Sequence, residues 1–313
     1  MSGTGLSAQL GFIKETTAGT RVVPTRFLEL VNESVTVNRQ TMRSNGIRAG
    51  RRRASRMRNG ATLVGGGLTV VMAPQGMGAL LELCMGGVST TGAGPYTHVF
   101  TDGTLPTGTF QIGKPRILST TVDPLDVLGA TVTDWSFSTS ASDTTEAEFS
   151  FTINGMSAST AQTLATASYP SGYQGFVFTE AVVNVGGSQT DVTDVSITSS
   201  LGIQGDRLRI GSGTGPRRAT QNGYRVATGT LTADYSATTL RDAYISGADL
   251  ALSVVFTSGT TSLTFAGNIK PTDGTPNVSG PENLTQPFGF EFYSPTSDAA
   301  ALTVTLVNAD SAP

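Results

Sequence analysis

Residues 50–69 read GRRRASRMRNGATLVGGGLT, and residues 215–232 read GPRRATQNGYRVATGTLT. The two stretches superimpose with a two-residue gap ahead of a shared Asn-Gly, placing Asn59-Gly60 over Asn222-Gly223. Arginines and turn residues fall at equivalent places, and each copy then runs through a strand-like stretch into a helical one that stops at glycine. Likeness at a fixed spacing is the mark of an internal repeat, so the first expectation is one fold written twice.

Outward from that pair the likeness thins. Upstream, Gly11-Phe12-Ile13-Lys14-Glu15 has a loose counterpart in Gly175-Phe176-Val177-Phe178-Thr179-Glu180. Downstream, Ser142-Asp143 leads through an alternating stretch to Asn154, as Ser297-Asp298 leads to Asn308. The offset between copies is expected to stay near 154 to 165 residues, roughly, along the whole chain. The reading gives a first unit over 1–172, with an arm at about 41–62 and a helix at about 75–85. The second unit covers 173–313, with an arm at about 201–224 and a helix at about 237–246. A further likeness, Val132–Ser140 to Val192–Ser200, lies outside this register and is read as generic strand composition.

The class follows from periodicity. Val132–Thr139, Glu148–Ile153, Val192–Thr198, Leu250–Thr257, Phe288–Tyr293 and Leu302–Val307 place apolar residues at every second position between turn residues, the strand signature. Helical spacing is confined to two segments. Met77, Leu80, Leu81 and Cys84 precede Gly86-Gly87, and Leu240, Ala243 and Tyr244 precede Gly247. The predicted class is mainly β: two tandem β-sandwich or barrel units, each with a short flanking α-helix and a long basic arm.

Composition excludes several chemistries. The 313 residues hold one Cys and one His, so neither an internal disulfide nor a zinc site of nitrogen and sulfur ligands can be assembled within the chain. A base for Ser-His-Asp chemistry would have to be His98, which sits in the alternating run Tyr96–Phe100 and reads as structural. Asp143, Glu146 and Glu148 cluster at a predicted hairpin turn and read as a solvated loop. Gly65-Gly66-Gly67 precedes a strand, whereas a phosphate loop leads into a helix. No catalytic residue, cofactor or metal is therefore expected. The N-terminal MSGTGLSAQLGF lacks the basic and apolar regions of a secretory signal, and the uncharged stretch 59–81 is too rich in glycine to span a membrane.

Charge is distributed unevenly. The net charge is −3, yet residues 34–81 carry eight arginines and no Asp or Glu, which leaves −11 on the rest. The second copy is basic too, with Arg207, Arg209, Arg217, Arg218 and Arg225. No aromatic residue interleaves the arginines to stack on bases, so the favoured reading is self-association, a basic arm of one copy against the acidic body of the next. The candidate arm residues are Arg43, Arg48, Arg51, Arg52, Arg53, Arg56, Arg58, Arg217 and Arg218.

These features resemble the major tail proteins of long-tailed bacteriophages, the subunits of the tail tube. The resemblance rests on Gly11–Glu15 followed by Thr16-Thr17-Ala18-Gly19-Thr20, Pro24, Phe27-Leu28-Glu29 and Asn32-Glu33-Ser34. It continues in the arm, the Gly-rich strand Gly65–Met72 and the helix ending Leu83–Gly87, and closes with Pro287–Phe292 through Asn308. It implies a non-enzymatic virion protein, made in the host cytoplasm, whose strands join neighbours around a ring and whose arm reaches the adjacent ring. It further implies a lumen for DNA and a tape-measure protein, with tail terminator and distal tail proteins at the ends and no membrane insertion. Family rings commonly hold six single units, so a two-unit chain predicts homotrimeric rings stacked head to tail. A virion or extracellular adhesin with carbohydrate-binding β domains is the alternative, for which Tyr169, Tyr173 and Tyr224 are the available loop aromatics.

Overall fold

The computed structural model describes residues 3–278, 280–294, 296–297 and 301–313. The first half of the chain contains β1 (Gln9–Lys14), β2 (Arg26–Leu28), β3 (Leu30–Glu33), β4 (Thr36–Arg43), β5 (Met57–Val71), α1 (Gly78–Met85), β6 (Gly86–Thr91), β7 (Tyr96–Asp102), β8 (Gly108–Pro115), β9 (Val122–Ser140), β10 (Glu148–Gly155) and β11 (Ser157–Ser159). The second contains β12 (Ala181–Val185), β13 (Ser188–Gln189), β14 (Val192–Ser200), β15 (Ile203–Gln204), β16 (Thr220–Gln221), β17 (Val226–Asp234), α2 (Thr239–Ser246), β18 (Leu250–Ser258), β19 (Thr261–Asp273), β20 (Thr285–Phe292) and β21 (Leu302–Asn308). The protein is mainly β and antiparallel, as the alternation predicts.

The alternating residues do what period two requires. In β10 Phe149, Phe151 and Ile153 point into the core while Glu148, Ser150 and Thr152 face outward, and in β21 Leu302, Val304 and Leu306 are the buried set. Both helices end on glycine with positive φ, Gly86 at 90° and Gly247 at 68°, a conformation that a side chain would oppose.

The pairings run in two series of the same order. In the first half β4 pairs β5, β5 pairs β10, β10 pairs β9, β9 pairs β8 and β8 pairs β1. In the second half β14 pairs β17, β17 pairs β20, β20 pairs β19, β19 pairs β18 and β18 pairs β12. The short β11 lies on β9 as β21 lies on β19. Each series also has a register shift at the same place. In β9 the ladder steps from Asp134 to Val132 and skips Thr133; in β19 it steps from Asp273 to Pro271 and skips Thr272.

Three expectations from the sequence change. Past the helices the offset between corresponding strands falls to about 137 to 142 residues, because the hairpin β6–β7 has no counterpart in the second half. The strand that corresponds to β10 in pairing order is therefore β20, not the stretch leading to Asn308, and Asp298 of that comparison lies outside the described residues. Upstream, β1 corresponds to β12, so Gly175–Glu180 precedes the matching strand and forms a short 3-10 turn at Phe178–Glu180. The likeness of Val132–Ser140 to Val192–Ser200 joins neighbours, because β9 and β14 pair with each other from Asp134↔Ser200 to Ser140↔Asp194.

That seam between the halves is backed by aromatic packing. Phe137 stacks on Phe265 at a centroid distance of 4.3 Å and meets Phe256 edge-on at 6.1 Å. Trp135 stacks on Phe149 at 5.7 Å and reaches Phe265 at 6.0 Å. A second contact between halves is β7 against β21, from Phe100↔Val304 to Tyr96↔Asn308.

Two buried carboxylates, Glu15 and Asp126, are held by dense bonding. Glu15, at the end of the GFIKE motif, accepts hydrogen bonds from the Gly19 and Gly129 amides and the Thr107 and Thr109 hydroxyls, all at 2.8–2.9 Å. Asp126 receives Arg21 and Gln111 in the same region. Those bonds satisfy carboxylates that burial would otherwise penalise, so the motif works as a fastener of loops.

Candidate assembly surfaces

The first arm is the outer part of the β4–β5 hairpin. Every residue of β4 is exposed, and Arg43↔Met57 and Met42↔Arg58 are its last rungs. Residues 44–56 form the tip, closed by Ser44 N–H to the Arg56 carbonyl at 3.0 Å and Arg51 N–H to the Arg48 carbonyl at 3.1 Å. Arg43, Arg48, Arg51, Arg52, Arg53, Arg56 and Arg58 are all exposed. Among the described residues none of the seven has a carboxylate within ion-pair distance; Arg56 alone reaches a side chain, the Ser44 hydroxyl at 3.5 Å. Met42, Ile47 and Met57 are exposed alongside them. A ribbon of unneutralised like charges and bare apolar groups gains nothing from its own chain, and its chemistry suits an acidic, partly apolar partner.

The second arm differs, although the sequence treats the two as equivalents. Residues 201–224 fold back on the body. Leu201 N–H donates to the Thr133 carbonyl at 2.9 Å, and Thr62 N–H to the Thr214 carbonyl at 2.7 Å. The two-rung ribbon of β15 and β16 closes it. Arg218 sends its guanidinium to the Leu105 carbonyl at 3.0 Å, and Arg207 bonds the Arg218 carbonyl at 2.8 Å. Arg217 stays exposed, with its amide on the Arg207 carbonyl. The candidate arginines are thus divided: seven project on the first arm, and Arg218 is tied to its own chain.

Arg225 is a fastener that the sequence hides among the basic residues. Its side chain is only 13% exposed; Nη1 contacts Asp102 at 2.7 Å and the Met85 carbonyl at 3.1 Å, and Nη2 contacts the Gly103 carbonyl. It thereby caps the C-terminus of α1 from the residue just ahead of β17, in the other half. Arg225→Ala is expected to lower stability by about 2–3 kcal/mol, since it strands a half-buried carboxylate and two carbonyls. Chemical denaturation measures this, and a loss below about 0.5 kcal/mol would contradict it.

The groups that could suggest catalysis have structural partners. His98 has no exposed surface; Nε2 faces two acceptors, Asn308 Oδ1 at 3.1 Å and the Asp310 carbonyl at 3.0 Å, and so carries the proton, while Nδ1 accepts from Thr90 Oγ1 at 2.8 Å. Asp143 accepts the Ser140 amide, Glu146 accepts the Gly175 amide, and Glu148 is exposed on β10. Gly65 and Gly66 serve close packing: a Cβ at either would lie 2.5 Å from the Ile153 or Ser34 carbonyl oxygen. Burial pushes the Cys84 thiol well above its ordinary range, which keeps it protonated and unreactive. The loop aromatics offer no shared sugar platform. Tyr169 packs edge-on against Phe27, the Tyr173 hydroxyl donates to the Val71 carbonyl, and only Tyr224 is fully exposed. The uncharged stretch 59–81 is β5 and the start of α1, and no helix among the described residues is long and apolar enough to cross a membrane.

None of the curated proteins compared with the chain matches it. A family model described as phage tail tube protein matches residues 5–292, running through both series of strands and both arms. The long β-rich body, the projecting arm and that near-complete match agree: the chain belongs to the phage tail tube protein family, structural proteins of the virion tail that assemble with themselves into a tube.

Proposed function

We propose that three copies of this chain close a ring in which each supplies two tail-tube units, 1–172 and 173–313, so that six units surround an axial channel. The observation that carries the reading is the pairing order found twice, with the same register shift beside Asp134 and Asp273. Two units of one design in a chain give a closed ring with half the number of chains, and closure removes the exposed sheet edges that would otherwise recruit strands at random. Rings stack head to tail through the first arm, whose arginines meet the acidic body of the next ring; Arg217 lies on the exposed side of the second arm and adds to that contact.

The role of the assembly is passive. The channel passes DNA and houses the tape-measure protein without sequence-specific binding, and a wall drawn from a body carrying −11 outside residues 34–81 repels phosphate. Terminator and distal tail proteins bound the tube, and the subunit is made in the host cytoplasm before it enters the virion. Native mass measurement of isolated rings tests the stoichiometry. A mass of three chains is expected, and six chains per ring would overturn it.

A further inference from the structure

Besides the β7–β21 contact, the halves meet at the seam of β9 with β14, and two strand edges elsewhere in the chain match that seam without pairing to any strand of their own chain among the described residues. At the seam, β9 beyond Asp134 pairs β14, with Asp134↔Ser200, Ser136↔Thr198, Phe137↔Ile197 and Thr139↔Val195. The corresponding positions follow from the ladders. Asp134 opposes Thr152 one step from the first shift, and Asp273 opposes Gly289 one step from the second, so 134–139 correspond to 273–278. On the other strand, Ser200, Ser199 and Thr198 oppose Val226, Ala227 and Thr228 of β17, whereas Asn38, Val37 and Thr36 oppose Leu63, Val64 and Gly65 of β5. With Leu231 opposite Val195 and Leu68 opposite Glu33, residues 195–200 correspond to 33–38.

Neither matching segment has a partner strand on the side where the seam would form; Lys114 reaches the Glu33 carboxylate and the Val35 carbonyl from the side chain alone. β3 and β4 pair only with β5 among the described strands. β19 stops at Asp273, whereas β9 continues to Ser140 with β14 alongside it. Residues 274–278 have no strand assignment; Gly274 is held by Gln286 to its carbonyl, and Val278 is exposed. An extended segment with a bare edge lacks the cross-strand bonds that would make it a strand. Bulk across the two seams is complementary. Small Ser199 faces Trp135 inside the chain, while half-exposed Val37 would face Gly274, which has no side chain.

We propose that the contact between chains copies the contact inside the chain: residues 33–38 of one copy pair antiparallel with residues 273–278 of a second, in the register Asn38↔Asp273, Thr36↔Thr275 and Glu33↔Val278. The inference rests on the ring reading above. It assigns the partner, the edge and the register, and it makes 274–278 a segment that becomes a strand on docking, which is β-augmentation by a second copy. Internal and external seams then alternate around the ring, and no edge of this sheet is left open.

Paired cysteines test it. Asn38→Cys combined with Asp273→Cys should cross-link assembled protein with a short bis-maleimide into bands of two and three chains, and leave the dilute protein monomeric. The off-register pair, Asn38→Cys with Val278→Cys, places its thiols about five residues or roughly 17 Å apart along the strand and should not cross-link. Buried, protonated Cys84 supplies no background. Assembled tubes without the 38–273 link, or with an equal 38–278 link, would overturn the seam and leave the tube reading intact. A wild-type protein that forms no rings would overturn both. If the cysteine variants fail to assemble, amide exchange on the wild type decides: slowed exchange at 33–38 and 274–278 on assembly supports the seam, and unchanged exchange contradicts it.

Discussion

Replacing Arg51, Arg52 and Arg53 with glutamate is expected to leave the fold intact and to raise the concentration needed for tube assembly by at least about a hundredfold, taking roughly 1 kcal/mol for each lost charge pair. All three side chains are exposed at the tip of the first arm and contact no carboxylate of their own chain among the described residues. Their removal therefore costs the isolated subunit nothing, and an unchanged melting temperature should accompany the assembly defect. Each replacement shifts the charge by two, so residues 34–81 fall from +8 to +2 and the tip itself becomes acidic. Facing an acidic body, that tip repels where it had attracted. Wild-type assembly should also weaken as salt rises, because exposed pairs are screened within about 8 Å at physiological ionic strength. Tubes of normal length from the triple variant at moderate salt would show that Met42, Ile47 and Met57, and not the arginines, hold the arm.

Phe265→Ala is expected to be the most destabilising of the substitutions considered, at about 3–5 kcal/mol. Phe265 has no exposed surface and packs on Phe137 and Trp135 across the seam between halves. Truncation removes the partner of both rings and opens a cavity where two ladders meet, so little can collapse to fill it. Thermal denaturation should show a fall of about 6–15 °C. A single transition would persist if the halves unfold together. Two separated transitions would show that this packing, more than the β7–β21 ladder, couples them, and a shift under about 2 °C would contradict the packing argument.

The sequence was informative where periodicity and turn chemistry act locally. Five of the six alternating segments lie within a strand, Phe288–Tyr293 runs one residue past the end of β20, and both helices stop at the predicted glycines. Period two tells which side chains face inward, but it carries no information on which strand lies alongside. This is why Val132–Ser140 and Val192–Ser200 look alike without revealing that they pair, and why Asn154 and Asn308 look equivalent in sequence although they lie in strands of different place in the pairing order. The hairpin β6–β7 has a signal of its own, since Thr-rich Gly86–Thr91 and Tyr96–Asp102 flank the turn residues Gly92-Ala93-Gly94-Pro95, but a repeat does not reveal it, because nothing in the second half answers it.

The arginines show a second limit. Both arms are basic in sequence, yet one projects and the other is bonded back to the body. The difference is set by contacts remote in sequence, Arg218 to Leu105 and Thr62 to Thr214, which no local pattern encodes. Arg225 directly precedes β17, and from there its guanidinium reaches the end of α1. A single Asp at position 102 in a stretch otherwise free of acid was the one available hint of its partner.

The central claim is that one chain supplies two equivalent stations of the tube wall. Cryo-electron microscopy of tubes, averaged in cross-section down the axis, tests it most directly. Six lobes around a lumen, related in pairs by exact threefold symmetry, with alternate lobes differing by the β6–β7 hairpin, is the predicted result; six identical lobes, each a whole chain, would contradict it.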